Sequence, residues 1–383
     1  MTSEQRIAPI ALPDNRAQRV LTTLLEGSGV TLNGEAAWDP QIYHPDFCSR
    51  ILRQGSLGLG ESFMDGWWEC EQVDEMACRL LLHGLGERAR PPADRIMYRL
   101  QAGLLNLQSK ARAYIVGEAH YDLGNDLFER MLDPTMCYSC GYWKDAKTLH
   151  EAQLAKLELA CRKLELRPGM RVLDIGCGWG SFAEYAARHY GVSVTGITIS
   201  REQAELARKR CAGLPVEIEL EDYRELSGCF DRIVSIGMFE HVGHRNYAVY
   251  FQTVEQLLAE GGLFLLHTIG SNSSEISVDP WIDRYIFPNG VLPSARHIAE
   301  ASEGLLLMED WHNFGPDYDR TLMAWRDNFD AHWHEIADRY SQRIERMFRY
   351  YLSVCAGAFR ARDLQLWQIV FSRGRKARYD APR

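Results

Sequence analysis

A glycine-rich segment between a predicted strand and a predicted helix constrains the fold more than any other feature of the chain. Residues 172–180 have the sequence VLDIGCGWG, in which Gly176, Gly178 and Gly180 follow a short apolar run. Glycines at these positions let the backbone turn tightly and approach a bound molecule before the next helix begins. The segment therefore predicts the first turn of an α/β sheet, with a ligand site at the carboxyl ends of its strands.

From about residue 145 onward, short apolar strands alternate with helices, a pattern typical of a mainly parallel sheet. The predicted strands are residues 171–175, 192–196, 216–219, 232–236 and 263–268, followed by a late pair at 305–311 and 364–372. The predicted helices of this part are residues 181–189, 201–211, 321–338 and 341–362. We therefore predict an α/β fold with a Rossmann-like layout.

The N-terminal part has a different pattern, and we expect three regions. Residues 1–85 form a small, mostly helical unit with predicted helices at 15–26, 46–53 and 73–85. Residues 86–113 form a linker followed by a basic amphipathic helix. The linker is predicted because the Pro91-Pro92 pair cannot lie inside a helix. Residues 114–383 contain the ligand site and form the catalytic domain.

Charge and cysteine content exclude several classes of protein. The 383 residues carry a net charge of −9, which disfavours nucleic-acid binding because phosphate contacts need a basic face. The N-terminus lacks the pattern of a secretory signal, and no apolar run reaches the ~20 residues of a membrane span. The ten cysteines are scattered, as in a reducing compartment. We therefore expect a cytoplasmic protein.

The residues around the glycine segment favour S-adenosylmethionine over a dinucleotide. The dinucleotide pattern G-x-G-x-x-G fails at Ser181, and no acidic residue follows the second predicted strand to bind a ribose. Asp174 precedes the first glycine and is suited to the cationic amine of a methionine group. Thr198 and Gln203 are the polar residues after the second strand.

Asp222 and Tyr223 follow the third predicted strand, where the adenine edge of such a cofactor is expected. A surface turn explains this pair equally well. Residues 120–143 precede the first strand and include Cys137 and Cys140 in a C-x-x-C pattern. No second pair of ligands completes a zinc site, so we expect Tyr138 and Ser139 to cover the cofactor instead.

Two ionisable residues follow neighbouring strands at the same edge of the predicted sheet. Glu240 comes just after the fourth strand, and His267 lies at the end of the fifth. Ligands of open α/β sheets bind beyond the carboxyl ends of the strands, so the two side chains are expected to converge. The alternatives are that Glu240 caps the following helix and that His267 is a hydrogen-bonded residue of the strand.

Several segments together resemble the cyclopropane fatty acid synthases, a family of lipid-modifying methyltransferases that includes the mycolic acid cyclopropane synthases. The resemblance runs from about residue 42 to about residue 373. It is carried by HYDLGNDLF, CYSCGYW, VLDIGCGWG, VTGITIS, FDRIVSIGMFEHVG and PWIDRYIFPNG, together with SLGLGESFMDGWWEC nearer the N-terminus.

The resemblance implies a class I methyltransferase fold with a seven-stranded mixed sheet flanked by helices. It also implies transfer of a methylene from S-adenosylmethionine to cis double bonds of phospholipid acyl chains, through a carbocation that a bound bicarbonate deprotonates. The groups around the bicarbonate would be the side chains of Cys140, Glu240, His267 and Tyr318 and the backbone carbonyl of Ile269. We further expect a homodimer that associates peripherally with the anionic inner face of the membrane.

Three other functions compete with this one. A methyltransferase acting on a lipid or a small amine would use the same cofactor site without needing the bicarbonate residues. A catalytically silent lipid-binding protein would be expected to have lost the glycines or Glu240, which are present. A NAD-dependent oxidoreductase is disfavoured by the glycine spacing.

Overall fold

The computed structural model describes residues 8–85, 124–276, 278–374 and 377–383. The linker and basic helix expected at 86–113 lie outside these residues. The N-terminal unit contains three helices and a short antiparallel strand pair. These elements are α1 (Arg16–Leu25), β1 (Gln41–Ile42), α2 (Phe47–Met64), β2 (Trp68–Glu69) and α3 (Val73–Leu82).

The second helix is longer than the sequence predicted. The prediction ended it at residue 53, but α2 continues to Met64 after a kink at Gly55 (φ 57°, ψ −133°). Gly60, which follows this kink, allows close packing. A Cβ at Gly60 would collide with the indole of Trp281, which belongs to the other part of the chain. Glycine is therefore required here for close approach rather than for a turn.

Strands alternate with helices in the rest of the described chain, which also contains helices at residues 125–131, 149–163, 247–257, 280–285 and 295–302 that were not predicted from the sequence. The helices are α4 (Asn125–Met131), α5 (Leu149–Lys163), α6 (Ser181–Tyr190), α7 (Arg201–Arg210), α8 (Tyr247–Leu257), α9 (Pro280–Tyr285), α10 (Ala295–Ser302), α11 (Pro316–His332) and α12 (Gln342–Arg360). The strands are β3 (Arg171–Ile175), β4 (Ser193–Thr198), β5 (Val216–Leu220), β6 (Phe230–Ile236), β7 (Leu258–Ser271), β8 (Leu307–Asn313) and β9 (Leu364–Ser372).

Within the described residues, these seven strands form one sheet in the order β5-β4-β3-β6-β7-β9-β8. The strands from β5 to β7 pair in parallel, and β9 pairs antiparallel with both β7 and β8. The predicted α/β sheet with a late strand pair is thus confirmed. The switch in strand order at β3 brings the turns after β3, β4 and β6 together at one edge, where ligands of such sheets bind.

The N-terminal unit shares its hydrophobic core with the rest of the chain, in a cluster that runs from Leu21 to Leu366. Helix α12 packs against α3 so closely that a Cβ at Gly357 would meet the backbone of Asp74. Arg360 forms an ion pair with Asp74 at 2.8 Å and another with Asp319 of α11 at 3.0 Å. Among the described helices, none has both the length and the apolar character needed to cross a membrane.

Candidate active site

A cavity of about 200 Å³ lies at the carboxyl edge of β3, β4 and β6. Every residue that the sequence proposed for the cofactor contributes to its wall. These residues are Tyr138, Ser139, Asp174, Gly176, Gly178, Thr198, Gln203, Asp222 and Tyr223. The structure therefore brings together, around one space, residues that are as much as 85 positions apart in the chain.

The glycine turn after β3 forms one side of this cavity. Gly176 and Gly178 have φ values of 82° and 54°, a region that residues with a Cβ rarely adopt. A Cβ at Gly176 would lie only 2.7 Å from the side chain of Met238, whereas one at Gly178 would meet no protein atom within 4 Å. The open space at Gly178 lets a ligand approach the backbone directly.

The polar residues after β4 and β5 are already hydrogen-bonded to protein groups. Thr198 Oγ1 donates to Gln203 Oε1 at 2.8 Å, so these two side chains are fixed as a pair. Asp222 accepts hydrogen bonds from the guanidinium of Arg224, at 2.7 Å from Nε and 2.6 Å from Nη2. Both pairs border the cavity with defined orientations.

Helix α5 holds the segment that covers the cavity. Gln153 Nε2 donates to the backbone carbonyl of Ser139 at 2.8 Å, and Lys156 Nζ donates to its hydroxyl at 2.9 Å. The Tyr138 hydroxyl donates to that of Tyr351 at 3.1 Å. Cys137 borders the cavity, but Cys140 lies behind it, fully buried, with Sγ 3.1 Å from the Gly141 carbonyl.

The residues proposed for the bicarbonate form a second cluster behind the cavity wall. They do not line the cavity themselves, but Ser139, next to Cys140 in the chain, and His241, next to Glu240, do. Glu240 lies in a 3-10 turn, and its Oε1 accepts a hydrogen bond from the backbone N–H of Ile269 at 2.6 Å. It is therefore held by the end of β7 and does not act as a helix cap. The Ile269 carbonyl accepts from Thr268 Oγ1 at 3.0 Å.

Burial controls the protonation of this cluster. It raises the pKa of Glu240 to about 7, against the hydrogen bonds from Ile269 and Thr268. It lowers the pKa of His267 well below its ordinary value, so the imidazole is neutral. Burial also raises the pKa of Tyr318 well above its usual value, and nearby Cys140 adds to this effect. Tyr318 is therefore a neutral hydrogen-bond donor.

Two buried polar atoms of this cluster have no hydrogen-bond partner among the described residues, namely Glu240 Oε2 and His267 Nε2. The His267 Nδ1 lies 3.2 Å from Gln368 Nε2. In this orientation the amide donates to Nδ1, so Nε2 carries the hydrogen. Two neutral donors and a carboxyl acceptor suit a bicarbonate ion, which has oxygens that accept and a hydroxyl that donates. The residues present therefore fit the ion.

Gln368 and Lys156 were not predicted from the sequence. Gln368 lies directly opposite His267 in the pairing of β7 with β9, and neither side chain is exposed to any extent. Its signal is a lone amide in the apolar strand LQLWQIVFS. Lys156 lies on α5, a helix that the sequence analysis did not identify, and is only 1% exposed.

Replacing Glu240 with Gln should flatten the pH dependence of stability. The folded wild type keeps this carboxyl protonated up to about pH 7, but the unfolded chain ionises it near its ordinary pKa of 4.5. Between about pH 5 and about pH 8, the free energy of unfolding of the wild type should therefore fall by about 3 kcal/mol more than that of Glu240→Gln. Below the unfolded pKa both states are protonated, so the difference vanishes.

Urea unfolding of both proteins in carbonate-free buffer measures this difference. The burial of Asp174 affects both proteins alike, so subtracting the two curves isolates Glu240. Parallel curves over this pH range would contradict the placement of a buried, unpaired carboxyl at residue 240.

Comparison with known proteins agrees with the resemblance. Residues 108–369 match the family model of mycolic acid cyclopropane synthetase. The chain is 59% identical over 373 residues to cyclopropane-fatty-acyl-phospholipid synthase of Escherichia coli K12, covering 97% of each chain. The solved structure of the cyclopropane synthase MmaA2 from Mycobacterium tuberculosis is 33% identical, with a TM-score of 0.65, covering 70% of this chain and all of that one.

A second solved structure, of the mycolic acid cyclopropane synthase CmaA1 complexed with SAH and CTAB, is 34% identical. Its TM-score is 0.64, and the match covers 68% of this chain and 98% of that chain. The family model and the high identity over nearly the whole chain agree with the cavity, the glycine turn and the mixed sheet. The chain therefore belongs to the mycolic acid cyclopropane synthetase family and is an S-adenosylmethionine-dependent methyltransferase.

Proposed function

We propose that the enzyme transfers a methylene from S-adenosylmethionine to cis double bonds in the acyl chains of membrane phospholipids, forming cyclopropane rings. The observation that carries this proposal is the second polar cluster, with Glu240 Oε2 and His267 Nε2 unpartnered behind the cofactor cavity. A methyl transfer to an amine or a headgroup needs no such cluster. The identity to the Escherichia coli enzyme supports the choice of phospholipid substrate.

The chemistry requires a base after methyl transfer. The alkene attacks the sulfonium methyl, S-adenosylhomocysteine leaves, and one alkene carbon becomes a carbocation. Loss of a proton from the new methyl group then closes the ring. Bound bicarbonate would supply the base for that proton. His267 and Tyr318 would orient it by donating hydrogen bonds, Glu240 would accept from its hydroxyl, and Cys140 and Ile269 would complete its surroundings.

Aromatic rings next to the cavity suit a carbocation that must be kept from water. Trp325 is fully buried, and its ring centroid lies 5.2 Å from that of Tyr138 and 5.9 Å from that of Tyr318. Such faces are apolar toward an acyl chain and attract a cation by ~0.5–2 kcal/mol per contact. Tyr138 lines the cavity, and the other two rings pack behind it. Together they offer apolar surface in place of water beside a carbocation.

We also propose that the enzyme meets its substrate at the cytoplasmic face of an anionic membrane without spanning it. In residues 87–112 the basic residues outnumber the acidic ones by four, although the whole chain carries −9. Each basic residue near an anionic bilayer contributes ~1 kcal/mol of attraction. A homodimer remains a prediction from the family resemblance.

The products made from vesicles of an unsaturated phosphatidylglycerol test the proposed function. We expect mass spectrometry to find acyl chains heavier by one CH2 group and without the double bond, because ring closure consumes it. Vesicles with saturated chains serve as the control and should stay unchanged. Methylation on the headgroup, or a methyl branch beside a retained double bond, would contradict cyclopropanation.

The variant Gly178→Val tests where the cofactor binds. The new side chain would occupy the open space at Gly178, so we expect S-adenosylhomocysteine to bind at least about 10-fold more weakly by calorimetry. Gly213→Val is the matched control. Gly213 also has a positive φ (81°) and no atom within 4 Å of a Cβ, but it lies outside the cavity lining.

Both variants impose similar backbone strain, so a loss of stability alone should appear in both. Only Gly178→Val should lose affinity. Wild-type affinity in Gly178→Val, or an equal loss in Gly213→Val, would place the cofactor elsewhere.

A further inference from the structure

A buried ammonium group borders the cofactor cavity. Lys156 is 1% exposed and forms one hydrogen bond, from Nζ to Ser139 Oγ at 2.9 Å. Within the parts of the chain that the structure describes, no carboxylate lies within 4.0 Å of Nζ. An ammonium has three donors, so two of them have no acceptor among the described residues. A buried charge left in this state is costly unless a ligand completes its surroundings.

The groups around Lys156 indicate which ligand that is. Asp174, at the end of β3, is 2% exposed, and its Oδ2 has no partner among the described residues. Burial raises the pKa of Asp174 to about 7, and the charge of Lys156 opposes that rise. Burial raises the pKa of Cys140 and lowers that of His267, so both groups are neutral, and the charge of Lys156 acts to lower both pKa values. Among the charged residues that line the cavity, Lys156 and Asp174 thus each have an unpartnered polar position within the described residues.

An α-amino acid group has the complementary pair of charges, a carboxylate and an ammonium on one carbon. S-adenosylmethionine ends in such a group, and Asp174 is already the proposed partner of its amine. The carboxylate of this group then needs hydrogen-bond donors among the residues that line the cavity. Lys156 and Ser139 both line the cavity and are hydrogen-bonded to each other.

We propose that Lys156, together with the Ser139 hydroxyl, binds the carboxylate of the methionine group of the cofactor. This inference rests on the proposed cofactor placement and adds a residue to it. Bicarbonate is the competing anion for Lys156. The cofactor is favoured because Lys156 and Ser139 border the cavity, whereas Cys140, Glu240 and His267 do not.

Two ligands that differ only in the amino acid end test this assignment. S-adenosylhomocysteine has the carboxylate, and 5′-methylthioadenosine lacks the whole amino acid group. In Lys156→Met we expect S-adenosylhomocysteine to bind about 10- to 100-fold more weakly, the loss expected for a charge-assisted hydrogen bond. Binding of 5′-methylthioadenosine should stay within about 3-fold of wild type by calorimetry.

Lys163→Met is the matched control, because Lys163 is a fully buried lysine on the same helix. Its Nζ pairs with Asp310 at 3.3 Å, and it does not line the cavity. We expect both ligands to bind this variant as they bind wild type. A change confined to Lys156→Met and to S-adenosylhomocysteine therefore supports a carboxylate contact rather than a structural role.

An equal loss for both ligands in Lys156→Met would overturn the proposal, and so would no loss for either. A raised KM for bicarbonate with unchanged S-adenosylhomocysteine affinity would overturn it in favour of the ion. If Lys156→Met does not fold, wild type is titrated with the carboxamide analogue of S-adenosylhomocysteine. Binding about 10-fold weaker than the parent supports the proposal, and equal binding overturns it. Wild type that binds none of these ligands would instead contradict the cofactor site itself.

Discussion

Three ionisable side chains are buried at one edge of the sheet, and the arrangement of the site follows from their burial. Lys156, Asp174 and Glu240 are each less than a tenth exposed, and none of them has an oppositely charged partner at ion-pair distance among the described residues. Burying such groups without partners costs several kcal/mol each, so the fold must exclude water there for a reason other than stability. In the proposed function, the amino acid group of the cofactor brings charges complementary to Lys156 and Asp174, and the hydroxyl of bicarbonate brings a hydrogen-bond donor to Glu240.

The surrounding helices and strands exclude water from this edge of the sheet. Helix α5 carries Lys156 and fixes the Tyr138–Ser139 segment over the cavity, and the backbone N–H of Ile269 holds Glu240 behind it. Helix α12 contributes Tyr351, which is hydrogen-bonded to Tyr138, and also packs against α3 of the N-terminal unit. The N-terminal helices and the catalytic site therefore share one continuous core, which links the packing of the first part of the chain to the water exclusion that the chemistry needs.

The parts of the site that local patterns encode were predictable from the sequence. The glycine turn at 176–180 and the strand ends at Glu240 and His267 are each defined by neighbouring residues, so their position at one sheet edge follows from the fold class. Gln368 and Lys156 were missed because their roles depend on tertiary pairing. Gln368 matters through its register with His267, about 100 residues away, and Lys156 through a helix packed across the sheet. The end of α2 was misplaced because glycines that serve close packing look the same in sequence as those that make turns.

We propose that the cluster of Glu240, His267 and Tyr318 binds the base that closes the ring, separately from the cofactor cavity. The most direct test is the initial rate of cyclopropane formation at saturating S-adenosylmethionine, measured in carbonate-free buffer with increasing added bicarbonate. We expect the rate to rise from a low baseline and to saturate. The KM for S-adenosylmethionine, measured separately at low and at saturating bicarbonate, should stay constant. A rate that is full without bicarbonate and unchanged by its addition would contradict a role for the ion as the base.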